Sequence, residues 1–170
     1  GNRSFDEVHE QAIETWEALL GAIKVKGGTK KQKQIFYSSL YRAFLWPALR
    51  SDLNGEFSDV EGKIKKADFR YYTLPSFWDT YRNKLVLLNM LQPDVAKDVI
   101  RSVIDRGENN GFIPTFFHGD HATSFISAAY NMGITDFEVQ KAYDLLLNNA
   151  YKEGGTRPYI SEYIEIGRAH

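Results

Sequence analysis

Apolar residues recur at intervals of three and four along most of this chain, which is the spacing of amphipathic helices. Six such runs and the start of a seventh are bounded by residues that typically begin or end helices: Ser4 and Gly27, Thr29 and Pro47, Ser76 and Gln92, Pro93 and Gly107, Ala122 and Met132, Thr135 and Gly154, and Pro158. The pattern therefore predicts an all-α protein built from helical hairpins.

Several helix starts carry capping signals. Ser4–Glu7 and Thr135–Glu138 have the capping-box pattern, in which a hydroxyl accepts from a first-turn amide and the glutamate reaches back. Ser76 is predicted to cap the third helix, whose buried stripe continues through Leu85 and Leu88. The sixth helix is predicted to bury its apolar side, Val139, Ala142, Tyr143, Leu146, Leu147 and Ala150.

The connections between these helices differ in character. Those after the first, third and fifth helices are short, whereas residues 47–75 and 108–119 are longer. The first of these long segments is rich in Asp, Arg and aromatic residues, and the second in aromatic residues, with Gly, Pro and His118. Long loops in compact domains are usually functional or disordered, and aromatic residues argue against disorder. In a ring of helical hairpins, alternate connections emerge at the same end. We therefore expect residues 1–170 to be a single partial domain, about half of an α/α toroid, with its chemistry at one end.

Composition and charge remove several classes of function. The chain of 170 residues has a net charge of -1, so a general affinity for nucleic acid or an anionic membrane is not expected. No stretch approaches the roughly 20 apolar residues of a membrane-spanning helix. The absence of cysteine excludes disulfides and thiolate metal sites. Aromatic residues make up 14% of the chain, which suits either a ligand cleft or a well-packed core.

The segment Ser76–Arg82 combines two aromatic rings, a carboxylate and a guanidinium at a helix start. On a continuous helix, Trp78, Asp79 and Arg82 would share one face, because they are three and four residues apart. Such a face suits a polar, ring-shaped ligand such as a sugar. The alternative for Asp79 and Arg82 is a local ion pair, which contributes only about 0.3–0.5 kcal/mol when exposed.

Five ordered blocks of the chain resemble the catalytic domain of family 92 glycoside hydrolases, the calcium-dependent, exo-acting α-mannosidases. The blocks are Phe36–Arg42, Ser51–Gly55, Tyr71–Thr73 together with Ser76–Arg82, Gly111–Pro114 together with Gly119–Ala122, and Tyr130–Ile134 before Asp136-Phe137. No single block is decisive, but their order and spacing are specific, and the resemblance covers nearly the whole chain.

The resemblance implies about half of an (α/α)6 toroid, in a protein that resembles α-1,2-mannosidases and hydrolyses terminal α-linked mannose with inversion. It implies that a β-sandwich domain precedes this chain and that the second half of the toroid follows it. The catalytic acid and base and the main calcium ligands would lie beyond position 170. No catalytic residue and no metal ligand is therefore assigned here, and the isolated fragment is expected to be inactive.

The blocks that are present would then supply groups that bind the sugar and the scaffold that holds them. Asp52 would accept hydrogen bonds from vicinal hydroxyls, or else only shape its loop as an Asx-turn. Asp79 would accept from a sugar hydroxyl and Arg82 would donate to one. Trp78 would stack on a sugar face, although a tryptophan at helical spacing is more often core.

His118, Asp120 and His121 form a second candidate cluster. They would hydrogen-bond sugar hydroxyls, or Asp120 would cap the fifth helix. A metal site ranks third, because two histidines and one aspartate lack a fourth partner and calcium prefers oxygen ligands.

Two other classes of function stay open from the sequence. A different carbohydrate-active enzyme with an α/α toroid would keep the fold and change the chemistry. A helical module could present the same loops to a protein partner, although no repeat of about 34–47 residues is visible. For the mannosidase interpretation, the family implies a secreted or periplasmic bacterial enzyme.

Overall fold

The computed structural model describes residues 3–59, 61–116 and 119–167. These residues form eight helices and a two-stranded sheet. The elements in chain order are α1 Phe5–Leu20, α2 Lys30–Phe44, β1 Glu56–Ser58, β2 Ile64–Lys66, α3 Phe77–Thr80, α4 Lys84–Leu91, α5 Pro93–Glu108, α6 Ala122–Asn131, α7 Val139–Tyr151 and α8 Ile160–Gly167. The predicted all-α class is confirmed. Among the described helices, none combines the length and the apolar character that crossing a membrane requires.

The chain divides into two compact units, Gly1–Leu45 and Trp46–His170. Each unit is described by itself. That residues 1–170 make up a single partial domain stays a prediction.

The first unit is a pair of capped helices. The Ser4 hydroxyl accepts from the Glu7 amide at 3.2 Å, and the Glu7 carboxylate accepts from the Ser4 amide at 2.7 Å, so the predicted capping box is confirmed. Thr29 caps α2 in the same way, as predicted. Between the helices, the rings of Trp16 and Tyr41 lie 4.5 Å apart.

Helix α1 ends at Leu20, earlier than the predicted stop at Gly27. The Tyr37 hydroxyl donates to the Ile23 carbonyl at 3.0 Å and accepts from the Val25 amide at 3.3 Å. These bonds hold the backbone after Leu20 in a conformation that is not helical. The helical spacing of the apolar residue Ile23 gives no sign of this early end.

Helix α5 lies at the centre of the second unit, with α4, α6 and α7 packed against it. Its buried face consists of Ala96, Val99, Ile100, Ser102, Val103, Ile104 and Gly107. Buried Leu85, Phe125 and Leu145 are supplied by the three neighbouring helices. Burying aliphatic and aromatic side chains of this size contributes about 1.5–3 kcal/mol each.

The described residues of the long segment 47–75 are folded and include no helix, as predicted. It holds a hairpin, β1–β2, which was not predicted and in which Phe57 lies opposite Lys65. The Phe57 ring stacks on Tyr71 at 3.7 Å. The Tyr72 amide donates to the Ser102 hydroxyl of α5 at 2.9 Å. These contacts fix the segment to the central helix.

The predicted third helix is interrupted. Helix α3 has only four residues, Tyr81–Asn83 form a turn, and α4 begins at Lys84. The Ser76 hydroxyl makes no capping bond but donates to the Asp79 carboxylate, so the predicted side-chain cap is wrong. Asn83 has φ -137° and ψ -63°, outside helical geometry, and its side chain accepts from the Lys84 amide. One continuous helical face from Trp78 to Arg82 therefore does not form.

The predicted capping box at Thr135–Glu138 is also wrong, because Glu138 precedes α7 without a side-chain capping bond. The face of α7 that is buried consists of Ala142, Leu145 and Asn149. Of the side predicted to be buried, Tyr143 and Leu147 are exposed. The helix is thus rotated relative to the prediction, with much of its apolar side open.

Candidate functional site

Three aromatic residues meet where α3 ends and α6 begins. The His121 ring stacks on Tyr81, with centroids 4.3 Å apart and planes inclined by 7°. Trp78 lies on the other flank, 5.3 Å from His121 at a tilt of 59°. Trp78 is 51% exposed, so its indole is not core.

Asp79 and Arg82 lie beside this cluster but do not pair with each other. Asp79 accepts from Ser76, whereas the Arg82 guanidinium donates to the Tyr81 hydroxyl at 2.7 Å and lies 5.0 Å from the Tyr81 ring centroid. The alternative of a local ion pair is therefore wrong for these two residues, since Arg82 follows the end of α3. Both side chains are exposed.

Of the predicted site residues that the structure describes, Asp120 is the most buried, with a side chain only 2% exposed. Its Oδ1 accepts from Asn149 Nδ2 at 3.0 Å. Its Oδ2 accepts from the Thr123 hydroxyl at 3.1 Å and from Arg157 Nη2 at 3.4 Å. The suggested cap of the fifth helix is wrong, because His121 precedes α6 and no side chain caps it. Asp120 instead joins α6, α7 and the segment before α8.

Two neighbouring asparagines on α7 hold the loop 108–119. Asn148 Nδ2 donates to the Gly111 carbonyl at 2.8 Å, and Asn149 Nδ2 donates to the Ile113 carbonyl at 2.9 Å. Sequence reasoning missed both residues. An asparagine pair directly after three leucines was the available signal, since a buried amide requires partners.

Trp78, Asp120 and His121 line a cleft of about 970 Å³. Tyr143 and Leu147, on the exposed apolar side of α7, line the same cleft. Helix α8 and the segment before it complete the lining: Thr156, Arg157, Pro158, Ile160 and Tyr163. Apolar and aromatic walls with a few convergent polar groups are typical of small-molecule sites. Three of the predicted residues are thus brought together here.

Asp52 lies in a different place, a polar cleft of about 480 Å³ in the second unit. The Asx-turn at this loop is made by Asn54, whose side chain accepts from the Glu56 amide at 3.0 Å. Among the described residues, the Asp52 carboxylate accepts no hydrogen bond, so it is open to a ligand. Asp98 lines the same cleft, and burial raises the pKa of its carboxyl. Asp52 and the aromatic cluster therefore do not share one pocket.

His118 lies outside the described residues. Within the described part of the chain, no group of three or more His, Asp or Glu residues is placed to hold a metal ion. Both Asp120 oxygens already accept from nitrogen or hydroxyl donors. The described residues therefore do not fit a calcium site. That the main calcium ligands lie outside this chain stays a prediction.

Comparison with known proteins agrees with the resemblance. The sequence model of the glycosyl hydrolase family 92 catalytic domain matches residues 1–168. A family GH92 α-mannosidase from Bacteroides thetaiotaomicron superposes with a TM-score of 0.87 and 26% identity, over 95% of this chain and 23% of its own. The structure of that enzyme in complex with mannoimidazole superposes with a TM-score of 0.86 and 27% identity, over 94% of this chain and 22% of its own. A family GH92 inverting mannosidase from the same bacterium superposes with a TM-score of 0.82 and 25% identity, over 98% of this chain and 25% of its own.

No curated protein matches the chain. The chain spans about a quarter of the length of the solved relatives. The agreement in backbone confirms that its helical hairpins are part of the (α/α)6 toroid of this family. Because the family model covers nearly every residue, the chain belongs to the catalytic domain of glycosyl hydrolase family 92.

Proposed function

We propose that the polypeptide carrying this chain hydrolyses terminal α-linked mannose with inversion of configuration, and that this chain supplies sugar-binding groups and scaffold. The observation that carries the proposal is the family match over residues 1–168, together with solved relatives that are α-mannosidases. The aromatic cluster at the cleft agrees with it, because an indole face and nearby hydrogen-bonding groups are what a sugar ring requires.

In the cleft, the exposed face of Trp78 would pack on the sugar ring, and His121, held against Tyr81, would hydrogen-bond a hydroxyl. Asp79 and Arg82, both exposed next to Tyr81, would accept from and donate to further hydroxyls. His118, next to Gly119 in sequence, belongs to the same predicted set. Asp52 would bind a more distant part of the glycan, since it lines a separate cleft.

Inversion needs one carboxylic acid to protonate the leaving oxygen and a second carboxylate to activate water, about 6.5–9.5 Å apart. We propose that both groups come from the remainder of the same polypeptide, with the main calcium ligands. A preceding β-sandwich domain and the second half of the toroid would complete the protein. Secretion or a periplasmic location in a bacterium belongs to the same proposal and is supported by the family alone. Activity measured in culture medium and in periplasmic extract tests it.

The experiment is an assay of the whole polypeptide and of residues 1–170 alone on α-linked mannobiosides. We expect the whole polypeptide to release mannose, with the β-anomer appearing first by proton NMR. Chelation should abolish release and added calcium should restore it. We expect the isolated chain to be inactive. Release of α-mannose first, or activity only on another sugar, would overturn the proposal in favour of another carbohydrate-active enzyme.

A further inference from the structure

Three neighbouring side chains donate to the Asp120 carboxylate. Asn149 and Thr123 each donate one hydrogen bond to it, and Arg157 Nη2 approaches to 3.4 Å. With a side chain only 2% exposed, Asp120 has little surface to offer a ligand directly. Its charge acts instead on the guanidinium next to it.

Arg157 is placed differently. Its side chain is 40% exposed and lines the cleft, while one of its nitrogens is held by the buried carboxylate. A guanidinium has five N–H donors. Among the described residues, Asp120 is its one hydrogen-bond partner, so most of its donors face no protein acceptor. The buried carboxylate therefore orients a half-exposed guanidinium, whose remaining N–H groups can donate hydrogen bonds to a ligand.

A second polar group lies beside it. Thr156 lines the same cleft. Its hydroxyl oxygen is buried and has no hydrogen-bond partner in the described part of the chain. A buried hydroxyl without a partner is unfavourable by about 1–3 kcal/mol. A ligand that presents two adjacent hydroxyls would satisfy Thr156 and use the spare donors of Arg157.

We propose that Arg157, with Thr156, binds adjacent hydroxyls of the sugar in this cleft, and that Asp120 and Asn149 are positioning residues that orient Arg157. This inference rests on the proposed function. The hydrogen bonds to sugar hydroxyls that the sequence predicted for Asp120 are made by Arg157, a residue that the sequence did not single out. Trp78, which would pack on the sugar ring, and Arg157 line the same cleft.

The test uses the whole polypeptide with an aryl α-mannoside and its monodeoxy analogues. Arg157→Met should lower kcat/KM by about 10- to 100-fold, the range for losing a hydrogen bond to a charged group. Arg157→Lys should lie between, because lysine keeps the charge but lacks the planar fork. Lys152→Met removes an exposed charge close by and is the matched control, expected within twofold of wild type.

The deoxy series separates binding from a structural role. In wild type, at least one deoxy analogue should be a poorer substrate by tenfold or more. In Arg157→Met this penalty should fall to about threefold or less, since its partner is gone. Asp120→Asn should reproduce this loss of discrimination, and adding Arg157→Met to it should lower kcat/KM by less than threefold further.

The outcomes are distinguishable. If wild type hydrolyses none of these mannosides, the proposed function fails and the inference fails with it. If wild type is active but Arg157→Met keeps its kcat/KM, or keeps the full deoxy penalty, only the inference fails. Thermal melts of the Arg157 variants confirm that they are folded, which a half-exposed side chain should allow.

Discussion

The side-chain amide of Asn149 donates to Asp120 Oδ1 at 3.0 Å and to the Ile113 carbonyl at 2.9 Å. One nitrogen on α7 thereby holds both the loop that precedes α6 and the Asp120 carboxylate, which lies two residues before that helix. Asn149 is only 1% exposed, so these bonds form away from water. Buried hydrogen bonds of this kind fix geometry because the alternative is an unsatisfied group.

Replacing Asn149 by alanine should therefore be strongly destabilising. The change leaves the Ile113 carbonyl and one Asp120 oxygen without a donor, and we expect a loss of about 2–4 kcal/mol in the free energy of unfolding. Urea denaturation of residues 1–170 measures it. Asn148→Ala is the matched control: it removes one partly buried bond to Gly111, and about 1 kcal/mol is expected. An equal loss of unfolding free energy in the two variants would contradict the larger role assigned to Asn149.

Gly119 tests how closely the backbone supports His121. Its φ is +69°, and a Cβ added there would lie 2.8 Å from His121 Nε2. Gly119→Ala should lower the free energy of unfolding by about 1–2 kcal/mol from backbone strain alone, and should also displace the imidazole from Tyr81. The displacement is read from the His121 ring-proton shifts in NMR.

Gly133→Ala provides the control for that substitution. Gly133 has φ +90°, but nothing lies within 4 Å of a Cβ placed on it. Its alanine variant should show the strain without the shift of the His121 signals. Unchanged His121 signals in Gly119→Ala would contradict the contact.

The family blocks and some capping signals could be recognised from the sequence because they depend on local order. The Ser4–Glu7 box needs only four residues, and it forms as predicted, whereas the predicted caps at Ser76 and Thr135–Glu138 do not form. The register of α7 could not be recognised in this way. Leu145, Leu146 and Leu147 are consecutive, so apolar spacing fits more than one face, and only packing against α5 selects Leu145.

The interruption after Thr80 was equally hidden. No glycine or proline separates Ser76 from Leu91, so the pattern contains no helix breaker. The site shows the same limit. Asp52 and Trp78 belong to one ordered set of blocks, yet they line different clefts. Arg157 was missed because its role depends on Asp120, which lies 37 positions away in sequence.

Asn89 on α4 is expected to be a site where stability can be gained. It is only 4% exposed, and neither of its amide atoms has a hydrogen-bond partner in the described part of the chain. Asn89→Leu keeps a similar volume and removes the buried polar group, so we expect a gain of about 1 kcal/mol or more in the free energy of unfolding. Asn131→Leu, at an exposed amide that donates to Ser127, should give no gain. Loss of stability in Asn89→Leu would indicate that a buried water satisfies the amide.

Tyr71 should make stability fall at high pH. Burial and the hydrogen bond that its hydroxyl donates to Asp105 at 2.7 Å raise its pKa above the usual value of about 10. Above that value, the unfolded chain loses the proton while the folded chain keeps it. The folded state then binds more protons, so the free energy of unfolding decreases as pH rises past about 10.

Tyr71→Phe isolates this contribution. At neutral pH the variant should be less stable by about 1 kcal/mol, because the bond to Asp105 is lost. Above pH 10 it should lose less stability than wild type, since it has no proton to release at this position, and the two curves should converge. Urea denaturation between pH 7 and 11 measures the difference. Tyr163→Phe, at an exposed tyrosine of α8, is the control. The same pH-dependent change in both variants would contradict the assignment to Tyr71.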